Sequence, residues 1–133
     1  MGKRQRMVDL VVDSSAMIAW LQGEPGVDRL GNCFPGALVS SVNLAEVQTK
    51  LISWGDRDSN AWARIRYLGC QSVPFDDLQA KTAGSLVRMT KPYGLSLGDR
   101  ACLALAIQRN ATVYTTDRDW SKLSIGIKIE VIR

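Results

Sequence analysis

The sequence predicts an α/β fold, a mostly parallel sheet with helices on both faces in three α/β/α layers. Short β-branched runs alternate with segments of helical hydrophobic period along the whole chain. Parallel strands need crossovers, and right-handed crossovers lay helices against both faces of the sheet. A length of 133 residues suffices for one hydrophobic core and is short for two.

The elements follow in order. Val8–Val12 is a β-branched run ending at Asp13, the pattern of a strand buried on both faces. From Ser14 the period becomes helical, with Met17, Ile18, Trp20 and Leu21 on it, until Gly23 and Pro25 stop it. Ala37–Ser40 is a second strand. Val42, Leu44, Val47, Leu51 and Ile52 then mark a helix ending near Gly55, and Ser59–Leu68 another that Gly69 closes. Cys70–Phe75 reads as a third strand containing Pro74, followed by a long helix from Asp76 or Asp77 to about Thr90. Leu97–Asn110 is a helix with Asn110 as its C-terminal cap. Thr112–Thr115 is a fourth strand, Asp117–Leu123 a short helix and Lys128–Ile132 a fifth strand. Residues 1–7 form a basic leader expected to be disordered, and residues 8–133 one domain.

Composition excludes much chemistry. The chain has no histidine, which removes imidazole acid–base catalysis, Ser-His-Asp and Cys-His nucleophiles, and imidazole-dependent zinc sites. The net charge of +4 owes much to Lys3, Arg4 and Arg6 in the leader; the remainder carries fourteen basic against thirteen acidic residues, so charge is weak evidence for nucleic acid. Cys33, Cys70 and Cys102 are odd in number, widely spaced and without a C-x-x-C pair, which fits reduced thiols in a cytoplasmic protein. The longest uncharged stretch, residues 30–45, is interrupted by Gly31, Asn32, Pro35 and Gly36 and predicts no membrane span.

Chemistry must then come from carboxylates, hydroxyls or a hard metal. Ligands of open parallel sheets bind beyond the carboxyl ends of the strands, where the winding reverses. Asp13 and Asp117 lie at such strand ends, and Glu46 and Asp99 at helix starts. Each acid also has a capping interpretation: Asp13 and Asp117 as helix N-caps, Asn43-x-x-Glu46 and Ser96-x-x-Asp99 as capping boxes. Four acids from four junctions, flanked by small or apolar residues, point instead to a common site. Clustered carboxylates repel unless a cation neutralises them, and all-oxygen ligation suits Mg²⁺ or Mn²⁺.

The blocks VDSSAMIAWL, SSVNLAEV, YGLSLGDRACLALA and VYTTDRDW, in this order over residues 8–120, resemble the PIN-domain ribonucleases. They are most similar to the toxin subunits of VapBC-type toxin–antitoxin modules. The resemblance implies a five-stranded parallel sheet in the order 3-2-1-4-5. It also implies an endoribonuclease in which Asp13, Glu46, Asp99 and Asp117 hold Mg²⁺ or Mn²⁺, with Ser15 and Thr115 orienting a carboxylate or a water. The implied partners are RNA, with tRNA among the candidate substrates, a cognate antitoxin and a second copy of the chain. An antitoxin tail would bind beside the acids.

Several residues have milder expectations. Asp119 reads as a first-turn helix acid and Arg100 as an exposed helix charge, with a substrate-phosphate contact as its sharper alternative. Trp20, Trp54, Trp62 and Trp120 are expected in the core or at a partner interface. Two rival functions stay open at this level. One is a phosphoacceptor receiver-like signalling domain using Asp76 and Thr115, although the sequence lacks an acidic pair after the first strand and a lysine ending the fifth. The other is a catalytically inactive PIN-like RNA-binding module, against which the four retained acids argue.

Overall fold

The computed structural model describes residues 9–133; the leader and Val8 lie outside the described residues. Five strands, β1 (Leu10–Val12), β2 (Leu38–Ser40), β3 (Gln71–Val73), β4 (Thr112–Thr115) and β5 (Ile129–Val131), form one parallel sheet in the order β3-β2-β1-β4-β5. This is the expected order. A receiver domain of the doubly wound 2-1-3-4-5 type is thereby excluded.

Adjacent strand residues face opposite layers, as the pleat requires. Val12 and Val39 enter one core with Met17, Leu30, Phe34, Val47, Leu51 and Ile65. Val11 and Leu38 enter the other with Val73, Cys102, Leu103, Leu105 and Trp120. The first core is covered by α1 (Ser14–Leu21), α2 (Ser41–Ser53) and α3 (Asp58–Tyr67); the second by α6 (Leu97–Arg109) with α4 (Asp77–Ser85) packed against it. Each Val or Leu turned fully inward from the sheet contributes about 1.5–3 kcal/mol of apolar burial.

The departures from expectation have local causes. The third strand is shorter than expected because it ends at Val73, before Pro74, which has no N–H to donate. The long helix expected to reach Thr90 divides: α4 ends at Ser85, Leu86 with its ψ of −11° stands between the two helices, and α5 is the single turn Val87–Thr90. Asp28–Asn32 and Lys91–Tyr93 are unexpected 3₁₀ turns, and the expected short helix after Asp117 is a 3₁₀ turn over Arg118–Lys122. Asn110 does cap α6, with φ 50° and ψ 49°.

Because β1 lies between β2 and β4, the winding reverses at the β1–β4 pair, and the crevice there opens at the ends carrying Asp13 and Asp117. β2 runs into α2 without an intervening loop, Ser40 closing the strand and Ser41 opening the helix. That junction carries Glu46 toward the same end of the sheet.

Candidate active site

Asp13 follows the last residue of β1 and is the N-cap of α1, accepting from Ala16 N at 2.9 Å. Its side chain is buried and takes two further donors. Ser15 Oγ lies 2.8 Å from both carboxylate oxygens, and Thr115 Oγ1 donates to Oδ2 at 2.7 Å. Burial raises the Asp13 carboxyl to about 6, against the pull of the Thr115, Ala16 and Ser15 hydrogen bonds and with the Asp99 charge adding to the rise. The acid is thus held as a ligand would be, by a shell of donors in a dry setting.

Thr115 also links the two strand-end acids. Its Oγ1 accepts from Asp117 N at 3.0 Å while donating to Asp13. Ser15 Oγ accepts from Thr116 N at 3.2 Å, so both hydroxyls tie β4 to the start of α1. Ser15 lies within the first turn of α1, whose N-cap is Asp13. Asp117 is exposed and caps the following 3₁₀ turn, its Oδ1 accepting from Asp119 N at 3.0 Å.

Asp99 comes from the opposite wall. It sits at the third position of α6 in a complete capping box with Ser96: Ser96 N donates to Asp99 Oδ2 at 2.9 Å and Asp99 N to Ser96 Oγ at 3.2 Å. Burial raises its carboxyl above the ordinary range, the two Ser96 hydrogen bonds pull it down, and the charges of Glu46 and Asp117 push it up. Glu46 is half-buried in the second turn of α2, with Oε1 accepting from Asn43 Nδ2 at 2.8 Å. Asn43-x-x-Glu46 is therefore no capping box. The N-cap of α2 is Ser40, and Asn43 is a fully buried residue inside the helix.

Asp99 interacts electrostatically with the other three acids. Beneath them lies Cys102, one turn along α6 from Asp99. Burial lifts its thiol well above the ordinary value, and the charges of Asp13, Asp99 and Glu46 lift it further. Cys102 and Asn43 are the site neighbours that sequence reasoning missed; the usable signal was helical spacing, three residues from Asp99 and Glu46 respectively.

Among the described residues, no three acidic side chains group tightly enough to hold an ion as they stand. Each is engaged by its own donors. Asp99 Oδ1, Glu46 Oε2 and Asp117 Oδ2 accept no hydrogen bond among the described residues, so each retains an oxygen for coordination. An all-oxygen set with mutual repulsion fits a hard divalent cation.

The remaining expectations resolve more simply. Arg100 is no exposed charge: it is half-buried and its guanidinium donates to Ala83 O at 2.8 Å, in the last turn of α4, where a cation also favours the helix dipole. Asp119 is exposed beside Lys122, 3.4 Å away. Trp120 is buried in the core, whereas Trp20, Trp54 and Trp62 are exposed. Trp20 and Leu21 with Ala63, Arg64, Tyr67 and Leu68 line an apolar groove of about 380 Å³ between α1 and α3. Among the described residues no helix is long and apolar enough to cross a membrane.

No curated protein matches the chain significantly. Solved structures do. VapBC2 from Rickettsia felis, bound to a promoter DNA fragment, matches with a TM-score of 0.74 at 16% identity, covering 96% of this chain and 100% of that one. VapC20 from Mycobacterium tuberculosis, a Sarcin-Ricin loop cleaving toxin, matches with a TM-score of 0.72 at 20% identity, over 90% of this chain and 99% of that one. A toxin–antitoxin complex from Klebsiella pneumoniae matches with a TM-score of 0.67 at 16% identity, over 91% and 100%. These likenesses establish the shared fold, and the sequence model of the PIN domain matches residues 10–126. With nearly its whole length covered by that match and its strands in the order the family resemblance implied, the chain belongs to the PIN domain family.

Proposed function

We propose that the chain is an endoribonuclease dependent on Mg²⁺ or Mn²⁺ that acts in the cytoplasm as the toxin of a type II toxin–antitoxin module. Residues 8–133 work as one nuclease domain. The observation that supports this is that Asp13, Glu46 and Asp117, from three separate junctions, each lie near enough to Asp99 for their charges to act on one another, in a chain without histidine.

Asp13 and Asp99 would hold the cation most directly, with Glu46 and Asp117 completing its oxygen shell. Bound there, a divalent cation supplies a water of lowered pKa and offsets the charge that develops on a phosphate oxygen. The protein's own groups do the rest. Ser15 and Thr115 fix the Asp13 carboxylate, the Ser96 capping box fixes Asp99, and the closely packed floor at Cys102 excludes water from beneath. Glu46, half-buried, and Asp117, exposed, would complete the ligand set from the rim.

The toxin role rests on the kinship of the fold with toxin–antitoxin complexes and on the exposed apolar residues of α1 to α3. Trp20, Trp54, Trp62 and Tyr67 offer more apolar surface than a monomer of this size needs to leave uncovered. A cognate antitoxin, with its tail reaching the acids, and a second copy of the chain are the occupants proposed for it.

The test is incubation of purified protein with total RNA and with tRNA, in EDTA and then with Mg²⁺ or Mn²⁺ restored, with fragment ends mapped. Cleavage should vanish in chelator and return with the metal. Undiminished cleavage in EDTA by nuclease-free protein would overturn the metal assignment. Expression of the chain alone should arrest growth and the Asp13→Asn chain should not; harmless overproduction of active nuclease would remove the toxin role.

A further inference from the structure

We infer that Asn43 is a positioning residue for Glu46, and that with Gly98 it forms a clamp that sets the affinity of the acidic site for its cation. The inference rests on the nuclease reading above and concerns two residues to which that reading gives no task.

Asn43 is an unfavourable choice for its place. Inside a helix an asparagine competes with the backbone for hydrogen bonds, and a fully buried amide is costly to dehydrate. The partners of its amino group explain it, although its buried Oδ1 has none among the described residues. Nδ2 donates both to Glu46 Oε1, at 2.8 Å and one turn along α2, and to Gly98 O, at 3.0 Å in the first turn of α6. Both partners only accept, so the amide has one productive orientation. It joins α2 to α6 at the point where each helix presents an acid.

Gly98 forms the other jaw. A methyl group on its Cα would overlap the carboxyl carbon and both oxygens of Glu46, so the carboxylate rests directly against the Gly98 backbone. Gly98 has no positive φ, and the missing side chain is explained by space. The clamp also answers an electrostatic problem. Glu46 and Asp99 repel one another, and an unrestrained glutamate would swing toward water. The Asn43 donation holds it beside Asp99, which limits how far the two carboxylates must move to meet a divalent cation together. Partners that orient ligands in this way change metal affinity or activity by about 10–100-fold when removed.

The test is a calorimetric titration of the whole chain with Mn²⁺ alone, alongside melting in EDTA. Wild type is compared with Glu46→Gln, Asn43→Leu, Gly98→Ala and the double variant Asn43→Leu/Glu46→Gln. Asn43→Leu and Gly98→Ala should each weaken Mn²⁺ binding by about 10–100-fold. The double variant should bind no more weakly than Glu46→Gln, because the clamp acts through Glu46 alone. Gly98→Ala should still fold, because the atoms its methyl displaces are the far end of the flexible Glu46 side chain; it carries the test even if Asn43→Leu folds poorly. A merely structural role would add to the effect of Glu46→Gln, and that additivity would overturn the clamp. Wild-type affinity in both Asn43→Leu and Gly98→Ala, with affinity lost in Glu46→Gln, would also overturn it and leave the nuclease reading standing. A wild-type chain that binds no Mn²⁺ would overturn both.

Discussion

Asp13 follows β1 and is gripped by three donors from α1 and β4, out of contact with water. Glu46 stands in the second turn of α2, half in water, held by one amide and the bare backbone of a neighbouring helix. The strand-end acid takes its position from the sheet ladder; the helix acid takes its position from helix packing. The first arrangement is rigid and electrostatically costly, because a buried carboxylate resists ionisation. The second costs less but depends on two residues that carry no charge. At Asp13, function and stability should therefore pull in opposite directions, whereas at Glu46 a change can remove function and spare the fold.

The comparison can be broken most decisively at Asp13. Asp13→Asn should cut single-turnover RNA cleavage by on the order of 10²–10³-fold, the loss of several kcal/mol of charge stabilisation. A loss below about tenfold would show that the strand-end acid is not the principal ligand.

Stability in chelator should move the other way. The folded-state value of about 6 for Asp13 lies above its ordinary 3.8. A carboxyl raised in this way contributes its full stability below about pH 4 and loses it as pH rises through about 6, and Asp99 is shifted in the same direction. Asp13→Asn should thus gain on wild type by a few kcal/mol between pH 4.5 and pH 7.5 in EDTA, read from denaturant midpoints. Parallel pH profiles for the two proteins would refute the burial cost.

Thr115→Val tests the tie between the strand-end acids. It removes the donor to Asp13 Oδ2 and the acceptor for Asp117 N, and should cost about 1–3 kcal/mol in thermal unfolding. Cleavage should fall with it, and Thr115→Ser should restore most of both. Asp119→Asn sharpens the comparison from the other side. Its carboxylate is exposed beside Lys122, so stability should stay within about 0.5 kcal/mol of wild type and cleavage should be unchanged.

The strands were legible because β-branched runs such as VDLVV and TVYT admit few other readings, and their alternation with helical periods implied the layers. The turn at Asp28–Asn32 was not, since of its five residues only Leu30 is buried and one apolar residue has no period. The two capping-box patterns show where local sequence stops informing. Ser96-x-x-Asp99 and Asn43-x-x-Glu46 look alike in the sequence, yet only the first caps a helix. What separates them is that β2 passes straight into α2, so the cap falls on Ser40. The interactions of Asp99 with the other acids depend on packing between distant elements, which local pattern does not specify. Arg100 was misjudged for a related reason: its partner, the Ala83 carbonyl, belongs to a different helix.

The seamless passage from Ser40 to Ser41 also bears on how such a chain can change length. An α-helix turns about 100° per residue. One residue inserted directly after Ser40 would rotate the acid away from Asp99 and swing Leu44, Val47 and Leu51 away from the sheet, and a deletion would do the same in reverse. The six-residue interval from Ser40 to Glu46 is thus fixed as a gear is fixed by its teeth. The turn from Trp54 to Arg57, between α2 and α3, and the segment from Leu123 to Lys128, ahead of β5, are free of that constraint and can absorb insertions without moving an acid.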